Sequence, residues 1–230
     1  MRRETTNKIR FVLEDILPAI LRDSFLFKWA AKSVWGDHIL RLSEFRKRAP
    51  FLTEKEYEAL YRDHPRVHDE TDCSLDCIKK ISSDILGDSI CDVGCGTGAL
   101  LSTLLGDHQN LEQVTGVDFV IEDAAELDGI QFVVSRVEEL PFKDNAFDTV
   151  ICTHVIEHIL DYRAAIKELR RVTKMRLIIV VPREREFIYT FNPHFNFFPY
   201  THSFLRALIP VPDKFQCIDI HRDIYYCEDM

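Results

Sequence analysis

The stretch Asp92-Val93-Gly94-Cys95-Gly96-Thr97-Gly98-Ala99-Leu100-Leu101 constrains this chain more than any other. A short apolar run, Ser89-Ile90-Cys91-Asp92-Val93, leads into three glycines and then into a helical pattern. Glycines let a ligand approach the backbone closely, and the start of a helix offers N–H groups that have no intrahelical partner. Twenty residues past Gly98, a second apolar run, Val114-Thr115-Gly116-Val117, ends at Asp118. A carboxylate at the tip of a second strand can accept hydrogen bonds from both hydroxyls of a ribose. Strand, glycine turn, helix, strand and acid together predict a ligand with an adenosine-like ribose.

The remaining pattern predicts the frame around that loop. Apolar runs recur at 113–118, 130–134, 147–152 and 176–181, and Ala164, Ala165, Ile166, Leu169 and Val172 share helical spacing after Asp161. Strands alternating with helices imply a parallel sheet covered on both faces. Phe215 to Ile220 and Ile224 to Cys227 flank His221-Arg222-Asp223 at the spacing of a hairpin. Ahead of Gly87 the pattern is helical: one stretch over 7–35 kinked or divided at Pro18, a short helix from Ile39 to Phe45, and a capping box at Thr53-Glu54-Lys55-Glu56 opening a helix to about Tyr61. Thr71 or Asp72 is placed to cap another, running to about Ile85. The expected organisation is a helical cap or lid over residues 1–86 and a ligand-binding domain over 87–230.

The glycine loop alone admits two ligands. Read as Gly94-x-Gly96-x-x-Ala99 it fits a dinucleotide fingerprint, and so an NAD-dependent oxidoreductase. Read as Gly94-x-Gly96-x-Gly98 after Asp92 it fits S-adenosylmethionine, whose ammonium group a carboxylate at 92 can face. Three further stretches separate these readings: Val137-Glu138-Glu139-Leu140-Pro141-Phe142, Asp144-Asn145-Ala146-Phe147-Asp148-Thr149-Val150-Ile151, and Thr153-His154-Val155-Ile156-Glu157-His158-Ile159. In this order and spacing, over about residues 88–182, the chain resembles the class I S-adenosylmethionine-dependent methyltransferases, in the branch called methyltransferase type 11.

The resemblance implies an α/β, Rossmann-like doubly wound sheet of seven strands in the order 3-2-1-4-5-7-6, the seventh antiparallel, with an N-terminal helical cap. It implies S-adenosylmethionine as cofactor, with S-adenosylhomocysteine as product. Asp92, Gly94, Cys95, Gly96 and Gly98 would surround the methionine part, Asp118 would hold the ribose, and Phe119 would lie beside adenine. Val137, between Arg136 and Glu138, would meet the adenine edge through its backbone, and Thr153 would close the site near the sulfonium. Two departures stand out. Arg136 occupies the position where many relatives place an Asp for the adenine amino group, which leaves that contact to backbone groups or Glu138. Thr173-Lys174-Met175-Arg176 replaces the usual Lys-Pro-Gly-Gly turn. His154 and His158 are the candidates for a general base, and the bland alternative is that they orient the loop or begin a helix.

Composition narrows the partners. With 230 residues, 46% hydrophobic and 29% charged, the chain has the size of one domain with an appendage and ample material for a core. Its net charge of −9 argues against a general nucleic-acid binder. No apolar run approaches the roughly 18 residues of a membrane span, and no apolar h-region follows the first residues, so neither a span nor a secretory leader is expected. Seven cysteines, an odd number, read as reduced cytoplasmic thiols. Cys73-x3-Cys77 and Cys91-x3-Cys95 lack zinc-site spacing, and His64, His68, His194 and His202 are scattered, so no metal ligands are assigned.

The first fifty residues carry eleven Lys/Arg against six Asp/Glu. That charge, beside Phe25, Phe27, Trp29 and Trp35, allows peripheral contact of residues 1–50 with an anionic membrane; the alternative is a solvated basic face. Two segments are candidates to line an acceptor pocket: Tyr61 to Thr71, and the aromatic run Phe191 to Tyr200, which can equally pack against the front helices. The expected activity is methyl transfer to an O, N or C atom of a small-molecule or glycan/lipid-linked acceptor. The rival from another class is a non-catalytic protein that keeps the cofactor or its product as a ligand. The oligomeric state is not encoded in any motif.

Overall fold

A computed structural model of the chain describes residues 12–53, 55–57, 59, 71–121, 127–189 and 193–230. The chain divides into two compact units, Met1–Val67 with Glu184–Phe197, and His68–Arg183 with Phe198–Met230.

The first unit is helical at its front. A π-type turn at Val12–Ile16 precedes α1 (Ala19–Arg22), α2 (Phe25–Trp35) and α3 (His38–Arg48), and a 3-10 turn follows at Ala49–Phe51. The helical stretch expected over 7–35 is divided at Pro18, as its sequence suggested, and again at Ser24. Pro18 has no N–H to continue the ladder, and Ser24 caps α2 by accepting a hydrogen bond from the Phe27 N–H. Residues 7–11 lie outside the described residues. Gly36, at φ +71°, ends α2 in a conformation that favours glycine. The capping box is present: the Thr53 N–H donates to Glu56 Oε2 at 2.9 Å and the Glu56 N–H returns to Thr53 Oγ1 at 3.4 Å.

Segment 184–197 is stitched to these helices. Ser43 Oγ donates to the Ile188 carbonyl, Arg46 donates to the Phe187 carbonyl, and the Ile188 N–H donates to Asp23. Phe195 packs on Phe45 and Tyr57, and the Arg46 guanidinium lies 4.6 Å over the Phe197 ring. This part of the aromatic run thus packs with the front helices; Phe191 and Asn192 lie outside the described residues, as does the stretch 61–70 of the other lid candidate.

The expected peripheral membrane contact through residues 1–50 is corrected. Among the described residues no helix is long and apolar enough to cross a membrane. The helices here run four and eleven residues, and the segment with the exposed apolar side chains, residues 12–37, carries three Lys/Arg against four Asp/Glu. The basic surplus sits elsewhere, so the apolar side chains lack the positive charge by which an anionic surface would hold them.

The second unit opens with α4 (Leu75–Asp84), capped by Ser74, whose hydroxyl accepts from the Cys77 N–H. Thr71, one of the expected caps, accepts instead from the Cys73 N–H, so the helix starts later than its sequence suggested. Seven strands follow: β1 (Ser89–Val93), β2 (Gln113–Asp118), β3 (Gln131–Val134), β4 (Phe147–Thr153), β5 (Thr173–Pro182), β6 (Phe215–Ile220) and β7 (Asp223–Asp229). They form one sheet in the order β3-β2-β1-β4-β5-β7-β6, parallel except that β7 runs antiparallel to both neighbours. The Rossmann-like fold expected from the resemblance is the fold observed. Helices α5 (Ala99–Asp107), α6 (Tyr162–Val172) and α7 (Thr201–Ala207) complete the unit.

Alternation in the strands divides the core between the two faces of the sheet. Val150 and Cys152 of β4, Leu177 and Ile179 of β5, and Tyr226 of β7 pack with Ile166 and Leu169 of α6 and Phe204 of α7. Their neighbours Ile151, Ile178, Val180 and Tyr225 pack with Ile81 of α4 and Leu101 and Leu104 of α5. Every residue of β4 is buried, as a central strand covered on both faces must be.

Candidate functional site

The carboxyl ends of β1, β2, β3 and β4 bring together the residues singled out in the sequence, at the edge where sheets of this kind bind ligands. After β1 the chain turns through Gly94, Cys95, Gly96 and Gly98. The glycines have φ of +83°, +58° and +80°, and Gly98 stands as the N-cap of α5. The turn is tied to β2 by the Gly94 and Cys95 N–H groups, which both donate to the Val117 carbonyl at 2.7 and 3.0 Å. A methyl group on Gly94 would run into Val155 in the loop after β4. Gly116 belongs to the same fit, although its sequence context gave no sign of it. A Cβ there would stand 2.8 Å from Cys95 Sγ and 2.9 Å from the Phe132 ring, so β2 must be bare at that point for the turn to settle.

Asp118 closes β2. Its Oδ2 accepts from the Gly96 N–H at 2.9 Å and its Oδ1 from the Val120 N–H at 3.2 Å. One carboxylate thus fixes both the glycine turn and the chain leaving β2. Asp92 is the other acid. It is buried, and its Oδ1 has no hydrogen-bond partner among the described residues. Burial, and then the charge of Asp118, push its carboxyl up to about 7.

The other predicted residues take adjoining places. Phe119 follows Asp118 and is half-buried. The Asp118 carbonyl accepts from the Ser135 N–H, which brings the end of β3 and the following Arg136-Val137-Glu138 alongside. The Arg136 guanidinium pairs with Glu138 at 3.2 Å, and Val137 between them turns its side chain into the core. Thr153 ends β4, buried, opposite Val180 of β5.

His154 follows at φ +55°, a left-handed conformation that turns the chain sharply off the strand. Its Nδ1 stands 3.4 Å from Glu157 Oε1 and its Nε2 3.6 Å from Asp223 Oδ1 at the start of β7. Burial disfavours the charged ring, yet Cys73 and Glu157 outweigh it and hold His154 well above the usual histidine range. Cys73 itself stays a thiol, because Cys77 and burial push it up. His154 is thus set between two buried acids, Glu157 and Asp223. Cys73 and Asp223 escaped sequence reasoning, since nothing local marks residues eighty-one and sixty-nine positions from the histidine as its neighbours. His158 ends the 3-10 turn Ile156–His158, its N–H donating to the Val155 carbonyl.

Known proteins match this part of the chain. The family model described as a methyltransferase domain matches residues 91–181. A demethylmenaquinone methyltransferase of Staphylococcus aureus (strain MRSA252) is 36% identical over 90 residues, which cover 36% of this chain and 37% of that protein. The chain thus spans little more than a third of the length of the curated relatives it matches. Among solved structures, a Pyrococcus horikoshii OT3 protein aligns with a TM-score of 0.57 and 22% identity over 74% of this chain and 98% of that one. A SAM-dependent methyltransferase from Aquifex aeolicus aligns at 0.52 and 18% over 77% and 99%. These two likenesses speak for the fold. Motif order, sheet topology and the matching family model agree on one conclusion: residues 91–181 are a class I S-adenosylmethionine-dependent methyltransferase domain.

Proposed function

We propose that this chain binds S-adenosylmethionine and transfers its methyl group to an O, N or C atom of a small-molecule or glycan-like acceptor. One observation carries the reading: a buried Asp92 with an orphaned oxygen, beside Asp118, at neighbouring strand ends around a glycine turn. The cofactor, when bound, supplies a methyl group already activated on a sulfonium. Its ammonium suits Asp92, and its ribose diol suits the Asp118 carboxylate at the tip of β2. Gly94, Cys95, Gly96 and Gly98 give the amino-acid tail access to the backbone, while Phe119 flanks the adenine. The Val137 backbone, with Glu138 engaged by Arg136, borders the adenine edge, and Thr153 faces the sulfonium end.

The protein's task is then alignment and exclusion of water, which can contribute about 7–11 kcal/mol. His154 has its two ring nitrogens facing acids, Glu157 at 3.4 Å and Asp223 at 3.6 Å. Its proposed part is to hold the loop after β4 against the glycine turn. His158 is the proposed base where the acceptor is an alcohol. The staphylococcal relative is named for a demethylmenaquinone substrate; for this chain the acceptor proposed is a small molecule with a nucleophilic oxygen, nitrogen or carbon. All seven cysteines are free, which supports a reducing, cytoplasmic setting.

Calorimetric titration with S-adenosylhomocysteine, S-adenosylmethionine and NAD tests the cofactor. The expected outcome is micromolar binding of the first two and none of the third; binding of NAD alone would overturn the reading. Release of S-adenosylhomocysteine in the presence of an acceptor panel tests catalysis, and its absence across O, N and C nucleophiles would leave a non-catalytic binder.

A further inference from the structure

Helix α2 is inside out. Among its described side chains, Ala31 is buried and Phe27 and Lys28 are half-buried, while Phe25, Leu26, Trp29, Ala30 and Val34 face solvent. At 100° per residue the exposed set sweeps one half of the helix; Ser33 lies within it, and the exposed Lys32, paired with Asp37, stands at its edge beside Phe25. Phe25 is 75% and Trp29 67% exposed, and Ile20 of the preceding α1 is 82% exposed. An amphipathic helix packed on its own domain has the opposite polarity. Together Ile20, Phe25, Leu26, Trp29 and Val34 offer on the order of 800 Å² of apolar surface. A monomer's largest exposed patch is about 300–600 Å², whereas each partner in a stable interface contributes about 800 Å².

We infer that this face is a dimer interface, in which α2 of one chain packs on α2 of a second copy about a two-fold axis. Three features single out a second copy. The patch alone has the area that one side of a standard interface needs. The segment bearing it, residues 12–37, has a net charge of only −1, so two copies can meet without strong repulsion. Ala30 and Ser33, in the middle of the face, are small enough to let two helices approach closely between the rings of Phe25 and Trp29. Antiparallel packing also opposes the two helix dipoles. The interface is independent of the catalytic reading, since it uses no residue of the cofactor site.

Light scattering coupled to size exclusion on the full chain tests it. The expected mass is twice 26.9 kDa. The double variant Leu26→Glu/Trp29→Glu changes only exposed positions and should run as a monomer with unaltered circular dichroism, the dimer dissociation constant rising about a hundredfold or more. Ala30→Cys should form an intermolecular disulfide under mild oxidation, whereas Ser102→Cys, exposed on α5, should not. A monomeric parent chain, with the face free or covered by something else, overturns the proposal. So does a dimer that survives the double variant, or one that cross-links at position 102 and not at 30.

Discussion

The two units handle polarity in opposite ways. In the sheet unit, charge goes inside and is matched there: Arg170 donates to both oxygens of the buried Glu228, which also accepts from Tyr226, and His154 sits between Glu157 and Asp223. Asp92 is not matched in this way: its buried Oδ1 has no hydrogen-bond partner among the described residues, and it lies in the proposed cofactor site. In the front unit, apolar side chains go outside: Ile20, Phe25, Leu26 and Trp29 face solvent on helices whose inner face is thin. The difference teaches where each unit is unfinished. The sheet unit is complete in its packing and incomplete in charge, as a binding site for a cation should be; the front unit is incomplete in hydrophobic burial, as a docking surface should be.

Arg170→Ala should sharpen this contrast most. It leaves the Glu228 carboxylate buried with its cation gone, and unfolding by urea should show a loss of about 3–5 kcal/mol. Gly94→Ala comes next. The added methyl meets Val155 and the left-handed φ penalises any side chain, so a loss of about 2–3 kcal/mol is expected, together with loss of calorimetrically detectable S-adenosylhomocysteine binding.

Asp92→Asn should move stability and binding in opposite directions. The folded carboxyl, at about 7, holds its proton more tightly than the unfolded one at 3.8. The contribution of Asp92 to the stability of the ligand-free protein is then greatest at low pH and falls as pH rises through that window, levelling off above 7. At pH 8 the amide removes a charge that is costly to bury, and thermal melts should show a gain of about 2 kcal/mol that vanishes near pH 4. Affinity for S-adenosylhomocysteine should drop by about tenfold or more and lose the decline that the parent protein shows below pH 7. A variant destabilised at pH 8 would break the account of Asp92. The smallest effect belongs to the front unit: Phe51→Ser, at a residue 84% exposed and outside the α2 face, should change stability by less than about 0.5 kcal/mol.

Local pattern reached far into the sheet unit. The strand runs at 113–118 and 176–181, the helix after Asp161, the closing hairpin and the placing of the glycine turn and Asp118 at strand ends were legible because each rests on spacing within a few residues or on a motif whose parts keep fixed distances. Legibility failed where several local choices competed. Thr71, Asp72 and Ser74 can all cap a helix, and the choice of Ser74 came from which hydroxyl reached the Cys77 N–H. It failed also where one residue answered a distant one, as Gly116 answers Cys95 and Phe132, and Asp223 answers His154. The front was legible as helix but not in its polarity, because periodicity reveals that a face is apolar without saying what covers it.

By itself the amino-acid order determined the order of strands and helices, the glycine turn and the two acids beside it, since those follow from short-range sterics and hydrogen bonding. Tertiary structure alone decided that Asp92 would be buried with an oxygen unmatched, that His154 would lie between Glu157 and Asp223, and that the apolar side of α2 would face outward. Burial and electrostatic environment arise from residues far apart in the chain, and such neighbours are set only when the whole unit folds.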